Sequence, residues 1–296
     1  MGKKNSKKRG RKTKSVKKKV KKSSKHNKKN KKSKSQKSKN IKKSNKETIS
    51  LLKKKEKNKD FAKISTGISM LDKITQGGFG ESSVNLLVGG SGTGKSVFSV
   101  QFLVEGLQKG DNCLYISFDE TKDEFYRNMK ELGWNLEDYE KKGKLVFLEY
   151  TPEKVRKMLE EGGGAIETTV LNKDINRMVM DSITAFPMLF NGLPEKRQAI
   201  LDLFNMLRKW DCPTIITYER DPLIDQRSSS RILELESDSI IMLYFFRKKK
   251  EREHYLEIIK MRGTDHSTDI WPYDIKKGGI KIGKKPYKGE LPDEQT

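Results

Sequence analysis

Two rhythms of hydrophobic positions alternate along this chain. Short apolar runs at Val84–Val88, Cys113–Phe118, Leu145–Leu148, Met178–Met180 and Thr214–Tyr218 have the length of strands buried on both faces. Between them, Val97–Leu107, Lys122–Leu132, Glu153–Glu161 and Pro194–Trp210 read as helices. Such alternation predicts a parallel sheet covered by helices on both faces. The pattern changes near the end. Ser239–Phe246 and His254–Met261 read as two strands around a charged turn, Arg247–Glu253, forming an antiparallel hairpin added to the sheet. Gly162–Gly164 is expected in a loop, and Ser228–Ser230, between Arg227 and Arg231, in a mobile one. Residues after about Ile282 are polar and expected to fray. The expected fold class is α/β: a mostly parallel central sheet flanked by helices, with a C-terminal antiparallel hairpin. One domain spans 61–285 and a short tail follows at 286–296.

The N-terminus follows neither rhythm. The first 60 residues hold 29 Lys and Arg against 3 acidic residues, whereas the rest holds 35 against 37. The net charge of +24 therefore belongs to a polycationic segment joined to a near-neutral body. Residues 1–60 have almost no large apolar side chains before Ile49, so they are expected to be a disordered tail and linker. Their expected partner is nucleic acid, bound nonspecifically through counterion release, since lysines alone position a protein without reading bases. A solubilising tail is the plainer alternative.

Nothing in the sequence reads as an export signal or anchor. No apolar stretch follows the N-terminal charge. The longest strongly apolar run, Ile240–Phe246, is far short of the ~20 residues that span a bilayer. A cytoplasmic location with no membrane partner is expected. Cys113 and Cys212 lie in strand-like runs and read as buried thiols in a reducing compartment.

The densest chemistry is Gly89-Gly90-Ser91-Gly92-Thr93-Gly94-Lys95-Ser96, a G-x-x-x-x-G-K-[ST] motif between an apolar strand and an amphipathic helix. Glycines let backbone wrap phosphates, and loop N–H groups together with the helix N-terminus hold negative charge. Gly90 through Val97 are the expected phosphate-binding residues. Within them Lys95 reaches the β and γ phosphates of ATP and Ser96 ligates Mg²⁺. Asp181 ends an apolar strand downstream, the position expected to hold the metal's water shell. Asp119 and Glu120 follow the next strand, where the ligand crevice of a doubly wound sheet opens. Either can orient and deprotonate an attacking water, and one can instead cap the next helix. Lys260 and Arg262 sit two apart on a predicted strand, so both face one side and can reach one phosphate.

These motifs, in this order, resemble the KaiC-like single-domain ATPases of the RecA superfamily, common in archaea. The resemblance runs from Ser65 to about Ile282. It is carried by Ser65-Thr66-Gly67-Ile68, Leu71-Asp72, Gly77-Gly78, the phosphate loop, Tyr115–Thr121, Leu132-Gly133-Trp134, Asp181-Ser182-Ile183-Thr184 and Lys260–His266. It implies a RecA-like P-loop core assembling into rings, usually hexamers, with ATP between neighbours. On that analogy Lys260, Met261, Arg262, Thr264 and His266 contact the nucleotide of the adjacent subunit. Two departures stand out. The family's catalytic Glu is replaced by Asp119, one methylene shorter, leaving Asp119 and Glu120 as alternative bases. The cyanobacterial clock protein carries two such domains and a phosphorylated Ser-Thr pair before its last hairpin. Glu234-Leu235 stand at the corresponding place here, which argues against autophosphorylation there.

The function expected from these features is a Mg²⁺-dependent, ring-forming regulatory ATPase acting on a protein partner. Two alternatives stay open: a DNA-dependent ATPase of recombinase type, with segments 161–176 and 221–236 facing a ring or filament axis, and a non-hydrolysing ATP sensor.

Overall fold

Val84–Gly89 is buried at every residue, as a strand can be only with neighbours on both sides and a layer on each face. The structure, a computed structural model, describes residues 62–219, 227–248 and 251–289. The basic tail expected at 1–60 lies outside them, as do residues 249 and 250 of the expected turn at the tip of the hairpin. A small ribbon, β1 (Lys63–Ile64) and β2 (Phe79–Gly80), brackets helix α1 (Ser69–Ile74). The alternation then runs β3 (Val84–Gly89), α2 (Lys95–Lys109), β4 (Cys113–Ser117), α3 (Lys122–Glu131), α4 (Leu136–Lys141), β5 (Leu145–Glu149). It continues α5 (Pro152–Glu161), α6 (Gly164–Lys173), β6 (Arg177–Asp181), a 3-10 turn at Phe186–Leu189, α7 (Gly192–Lys209) and β7 (Thr214–Glu219). Helix α8 (Arg227–Glu236) leads into β8 (Ser239–Lys248), β9 (Glu251–Met261), β10 (Trp271–Lys276) and β11 (Gly279–Ile282).

The large sheet has the order β11-β10-β9-β8-β3-β7-β6-β4-β5. From β8 to β5 the strands are parallel, and β9, β10 and β11 each run antiparallel to the one before. Two cores result. On one face α2, α3 and α4 bury Phe98, Phe102, Phe125 and Leu136 against Tyr115, Leu87 and Val179. On the other, α5 to α8 bury Val155, Ile166, Phe204, Leu207 and Leu233 against Met180, Ile216 and Ile240. Among the described residues no helix is long and apolar enough to cross a membrane.

The α/β class, the parallel order and the added hairpin are as expected, and five local readings are corrected. The hairpin strands extend to Lys248 and from Glu251, because the antiparallel pairing runs from Leu243↔Leu256 out to Lys248↔Glu251. Two further strands, β10 and β11, extend the sheet. In β10 buried Trp271 and Tyr273 alternate with exposed Asp274 and Lys276, a pattern too short to stand out from loop. The triple glycine joins two helices: Gly162 caps α5 at φ 76° and Gly164 already belongs to α6. The serine run opens α8, whose burial rests on Ile232 and Leu233 downstream. From Gly283 to Tyr287 the chain is tied down, with the Gly283 and Tyr287 amides donating to the carbonyls of Pro272 and Ile270.

One buried ion pair locks the N-terminal motif to the sheet. Arg177, 2% exposed, bonds Asp111 Oδ2 at 2.7 Å and donates to the carbonyls of Ser65 at 2.7 Å and Phe102 at 3.0 Å. Its guanidinium also lies 4.8 Å from the centre of the Phe102 ring. Arg177→Ala strips every one of these acceptors at once. It should cost about 3–5 kcal/mol in urea unfolding with an unchanged m-value; a loss below about 1 kcal/mol would mean that water replaces the guanidinium.

Candidate functional site

Each parallel strand ends on the same edge of the sheet, and the register shows which ends meet. Gly89 at the end of β3 pairs with Glu219 at the end of β7, and Ser117 of β4 pairs with Asp181 of β6. Polar residues placed by sequence just past separate apolar runs are thus gathered along one rim.

The glycine loop between β3 and α2 occupies this rim. Gly89 admits no side chain, since a Cβ there would stand 2.7 Å from both the Leu243 carbonyl oxygen and Thr93 Oγ1. Gly94 precedes the helix at φ 85°, a left-handed conformation that favours glycine. Thr93 is buried and its hydroxyl donates to the Gly90 carbonyl at 2.9 Å, so this side chain shapes the loop from within. Ser91 and Gly92 are exposed, while Val97 packs against the first core and offers only its backbone. Lys95 Nζ donates to the carbonyls of Gly89 at 3.0 Å and Gly90 at 2.9 Å, folding back over the loop. Burial lowers the Lys95 pKa, opposed by the negative charges of Glu219 and Asp181.

Asp181 is held by hydroxyls from two neighbouring strands. Tyr115 donates to its Oδ2 at 2.6 Å and Thr217 to its Oδ1. Burial, followed by the charge of Asp181 and the bond to it, pushes the Tyr115 phenol well up, with Ser96 acting in the opposite direction. A chain of short contacts crosses the rim beyond them. Ser182 Oγ donates to Asp119 Oδ2 at 3.1 Å and lies 3.2 Å from Thr184 Oγ1, which accepts the Glu219 amide at 2.8 Å. Glu120 closes the group. Burial, then the charges of Asp181, Glu124 and Asp119, raises its pKa. Its backbone amide donates to Ser117 Oγ at 3.1 Å, and the Ser117 hydroxyl donates back to the Glu120 carbonyl at 2.7 Å.

Lys95, Ser96, Asp181, Asp119 and Glu120 thus come together. Lys260 to His266 do not join them. Met261 pairs with Ser239, which is level with Asn85 at the other end of β3, four strand steps or about 13 Å from Gly89. There Lys260 Nζ donates to the carbonyls of Glu234 at 2.9 Å and Leu235 at 3.1 Å. Arg262 donates to the Leu235 carbonyl at 2.8 Å and to Asp238 Oδ1 at 3.0 Å. Both cations sit on the C-terminal carbonyls of α8, the negative end of its dipole. Met261 turns its side chain into the core, Thr264 accepts from Lys63, and His266 Nδ1 lies 3.0 Å from the Ser267 carbonyl oxygen.

Sequence reading passed over Thr217, Ser182, Thr184 and Glu219 as site residues. Their one signal is polarity inside or just past an apolar strand: a buried hydroxyl such as that of Thr217 needs a partner. Thr66 and Asp72, which carry part of the resemblance, prove structural. The Thr66 amide and hydroxyl both donate to Asp72 Oδ1 at 2.7 Å and tie down α1.

Comparison with known proteins places this arrangement among relatives. The family model described as "ATPase: KaiC" matches residues 64–287. The circadian clock protein KaiC3 of Synechocystis is 32% identical over 231 residues, covering 74% of this chain and 45% of that protein. The circadian clock oscillator protein KaiC of Acaryochloris marina is 29% identical over 248 residues, 80% of this chain and 47% of that protein. The chain spans under half the length of these curated relatives. The crystal structure of a KaiC-like protein from the archaeon Pyrococcus horikoshii aligns with a TM-score of 0.66 at 29% identity, over 75% of this chain and 99% of that one.

Proposed function

Because this chain belongs to the KaiC family of ATPases, we propose that it binds and hydrolyses ATP with Mg²⁺ as a ring-forming regulatory ATPase. The observation that carries this reading is the split of charged groups between two edges. Lys95, Ser96, Asp181, Asp119 and Glu120 share one edge, and Lys260 and Arg262 lie on the other. A cation pair there is too far to serve the loop of its own chain, yet a second copy stacked edge to edge would bring it to the neighbour's phosphates. Arg262, Lys260, Thr264, His266 and the backbone at Met261 are the proposed trans contacts.

In this reading Lys95 leaves the Gly89 and Gly90 carbonyls for the β and γ phosphates, and the amides of Gly90 to Val97 hold the remaining oxygens. Ser96 and, through water, Asp181 are the proposed Mg²⁺ ligands; hydroxyl and carboxylate oxygens suit this cation, which when bound neutralises charge on the phosphates. Among the described residues no cluster of His, Cys, Asp or Glu could hold a metal alone, so the phosphates would complete the shell. Tyr115 and Thr217 fix the carboxylate of Asp181, while Asp119 or Glu120 takes the proton of the attacking water. The lysine-rich N-terminal segment is proposed to contact nucleic acid nonspecifically, and the ring to act on a protein partner.

ATP turnover at several protein concentrations, for wild type, Asp119→Asn and Glu120→Gln, tests the chemistry. The variant lacking the base should lose about a hundredfold or more, and turnover should rise with concentration as rings form. If Glu120 is the base, its raised pKa has a definite sign. The active carboxylate form is lost as pH falls through that raised value, so the acid limb should lie above the ordinary glutamate range and vanish in Glu120→Gln. Tight ATP binding without turnover at any concentration would make this chain a nucleotide-gated switch.

A further inference from the structure

One carboxylate sets the direction of Arg262. Asp238 lies in the link between α8 and β8, and its backbone is engaged on both sides. Its amide donates to the Val84 carbonyl and its carbonyl accepts the Arg262 amide, each at 2.8 Å. The side chain is held as well. Oδ2 accepts the Val84 amide at 2.9 Å and lies 3.5 Å from Arg208 Nε, in the last turn of α7. The Arg208 guanidinium also donates to the Glu236 carbonyl. One carboxylate oxygen is therefore fixed by the start of β3 and the end of α7. The other, Oδ1, meets Arg262 Nη1 at 3.0 Å. Arg262 Nη2 donates to the Leu235 carbonyl at 2.8 Å, so the planar guanidinium is gripped at two nitrogens. Lys260 shares that carbonyl at 3.1 Å. Burial, then the charge of Arg262, lowers the Lys260 pKa, and Asp238 opposes them. Asp238 is thus an anion that lets two cations stand side by side.

We propose that Asp238 is a positioning residue for hydrolysis in the neighbouring subunit, holding the Arg262 guanidinium in the orientation in which it meets that subunit's phosphates. This rests on the trans assignment of Arg262 above. An arginine side chain left to itself samples many rotamers, and ordering it at the moment of reaction would cost part of the stabilisation it brings. Asp238 orders it beforehand, through contacts to β3 and α7 that lie within one chain. At this exposure the ion pair adds little to folding; what it fixes is direction. A charge aimed in advance at the transferring phosphoryl group acts on the rate of the chemical step and not on ATP affinity.

Mixed assemblies separate this role from any effect of Asp238 on its own subunit. Arg262→Ala supplies intact loops, and Lys95→Ala supplies arginines from subunits whose own loop is dead. The comparison sets Lys95→Ala against Lys95→Ala/Asp238→Asn as arginine donors to Arg262→Ala, with full-length chains and Mg²⁺-ATP, and assembly is followed by sedimentation. Asparagine keeps an acceptor for the Val84 amide and removes the charge from beside Arg262. Turnover restored by the double variant should be about tenfold lower than that restored by Lys95→Ala, with the same KM for ATP and the same sedimentation. Lys95→Ala/Asp238→Glu, which keeps a carboxylate, should recover part of the difference. Equal or faster turnover with the Asp238→Asn donor overturns the proposal, because Arg262 would then be aimed without the carboxylate or held back by it. A raised KM, or a double variant that stays out of the assemblies, overturns it as well, since Asp238 would then serve the nucleotide pocket or the fold. If Lys95→Ala itself restores nothing, the trans assignment of Arg262 falls, and the role of Asp238 with it.

Discussion

Lys95→Ala should abolish specific ATP binding, with a loss of at least about a hundredfold in affinity. The ammonium is desolvated at the mouth of the loop, where its pKa is already lowered by burial, and it spends two bonds on backbone carbonyls. Exchanging those neutral acceptors for phosphate oxygens puts negative charge on the acceptor side as well, and hydrogen bonds between charged groups are worth about 1.5–3 kcal/mol each. Two such bonds amount to about 3 kcal/mol or more, and each 1.4 kcal/mol is roughly tenfold in affinity. The fold should persist, because the carbonyls released at Gly89 and Gly90 can turn to water. Calorimetric titration in raised salt reads the specific site without the tail. Wild-type affinity in this variant would place the phosphates elsewhere on the chain.

Arg262→Ala should lower turnover by about a thousandfold in assembled protein while leaving ATP affinity and stability nearly intact. A cation delivered to the transferring phosphoryl group stabilises charge that exists only in the transition state, and trans-acting arginines of this kind contribute on the order of 10³ or more. The stability cost is small because the Arg262 side chain is 50% exposed in its pair with Asp238, where an ion pair is worth about 1 kcal/mol or less. Mixing separates a trans role from a local one. Arg262→Ala supplies an intact loop and Lys95→Ala an intact arginine, so mixed assemblies should recover activity that neither variant has alone. Full activity of Arg262→Ala by itself, or no recovery on mixing, would remove Arg262 from the neighbour's site.

The uneven legibility of this chain follows from the range of the interactions involved. Val84–Val88 and Thr214–Tyr218 could be read as buried strands because apolar runs of that length have few other uses. The phosphate loop was equally plain, since its glycines and Lys95 act within eight consecutive residues. The strands β10 and β11 were missed because their burial comes from β9 beside them and from contacts with the α2 face, with little pattern of their own. The 227–236 helix was hidden for a similar reason: its serines are polar, and only Ile232 and Leu233 report the core beneath it.

Sequence by itself therefore determined the P-loop, the α/β class and the identities of the carboxylates and cations, because each is encoded by residue type and local spacing. Tertiary structure alone decided their grouping. Strand register brought Asp181 beside Ser117, set the Tyr115 and Thr217 hydroxyls on Asp181, and sent Lys260 and Arg262 to the opposite edge. It also laid Phe245, His254 and Tyr273 in one row beside Gly92. These residues are separated by about ten to more than a hundred positions, and proximity across such spans is fixed by hydrogen-bond register and packing, which no local pattern contains.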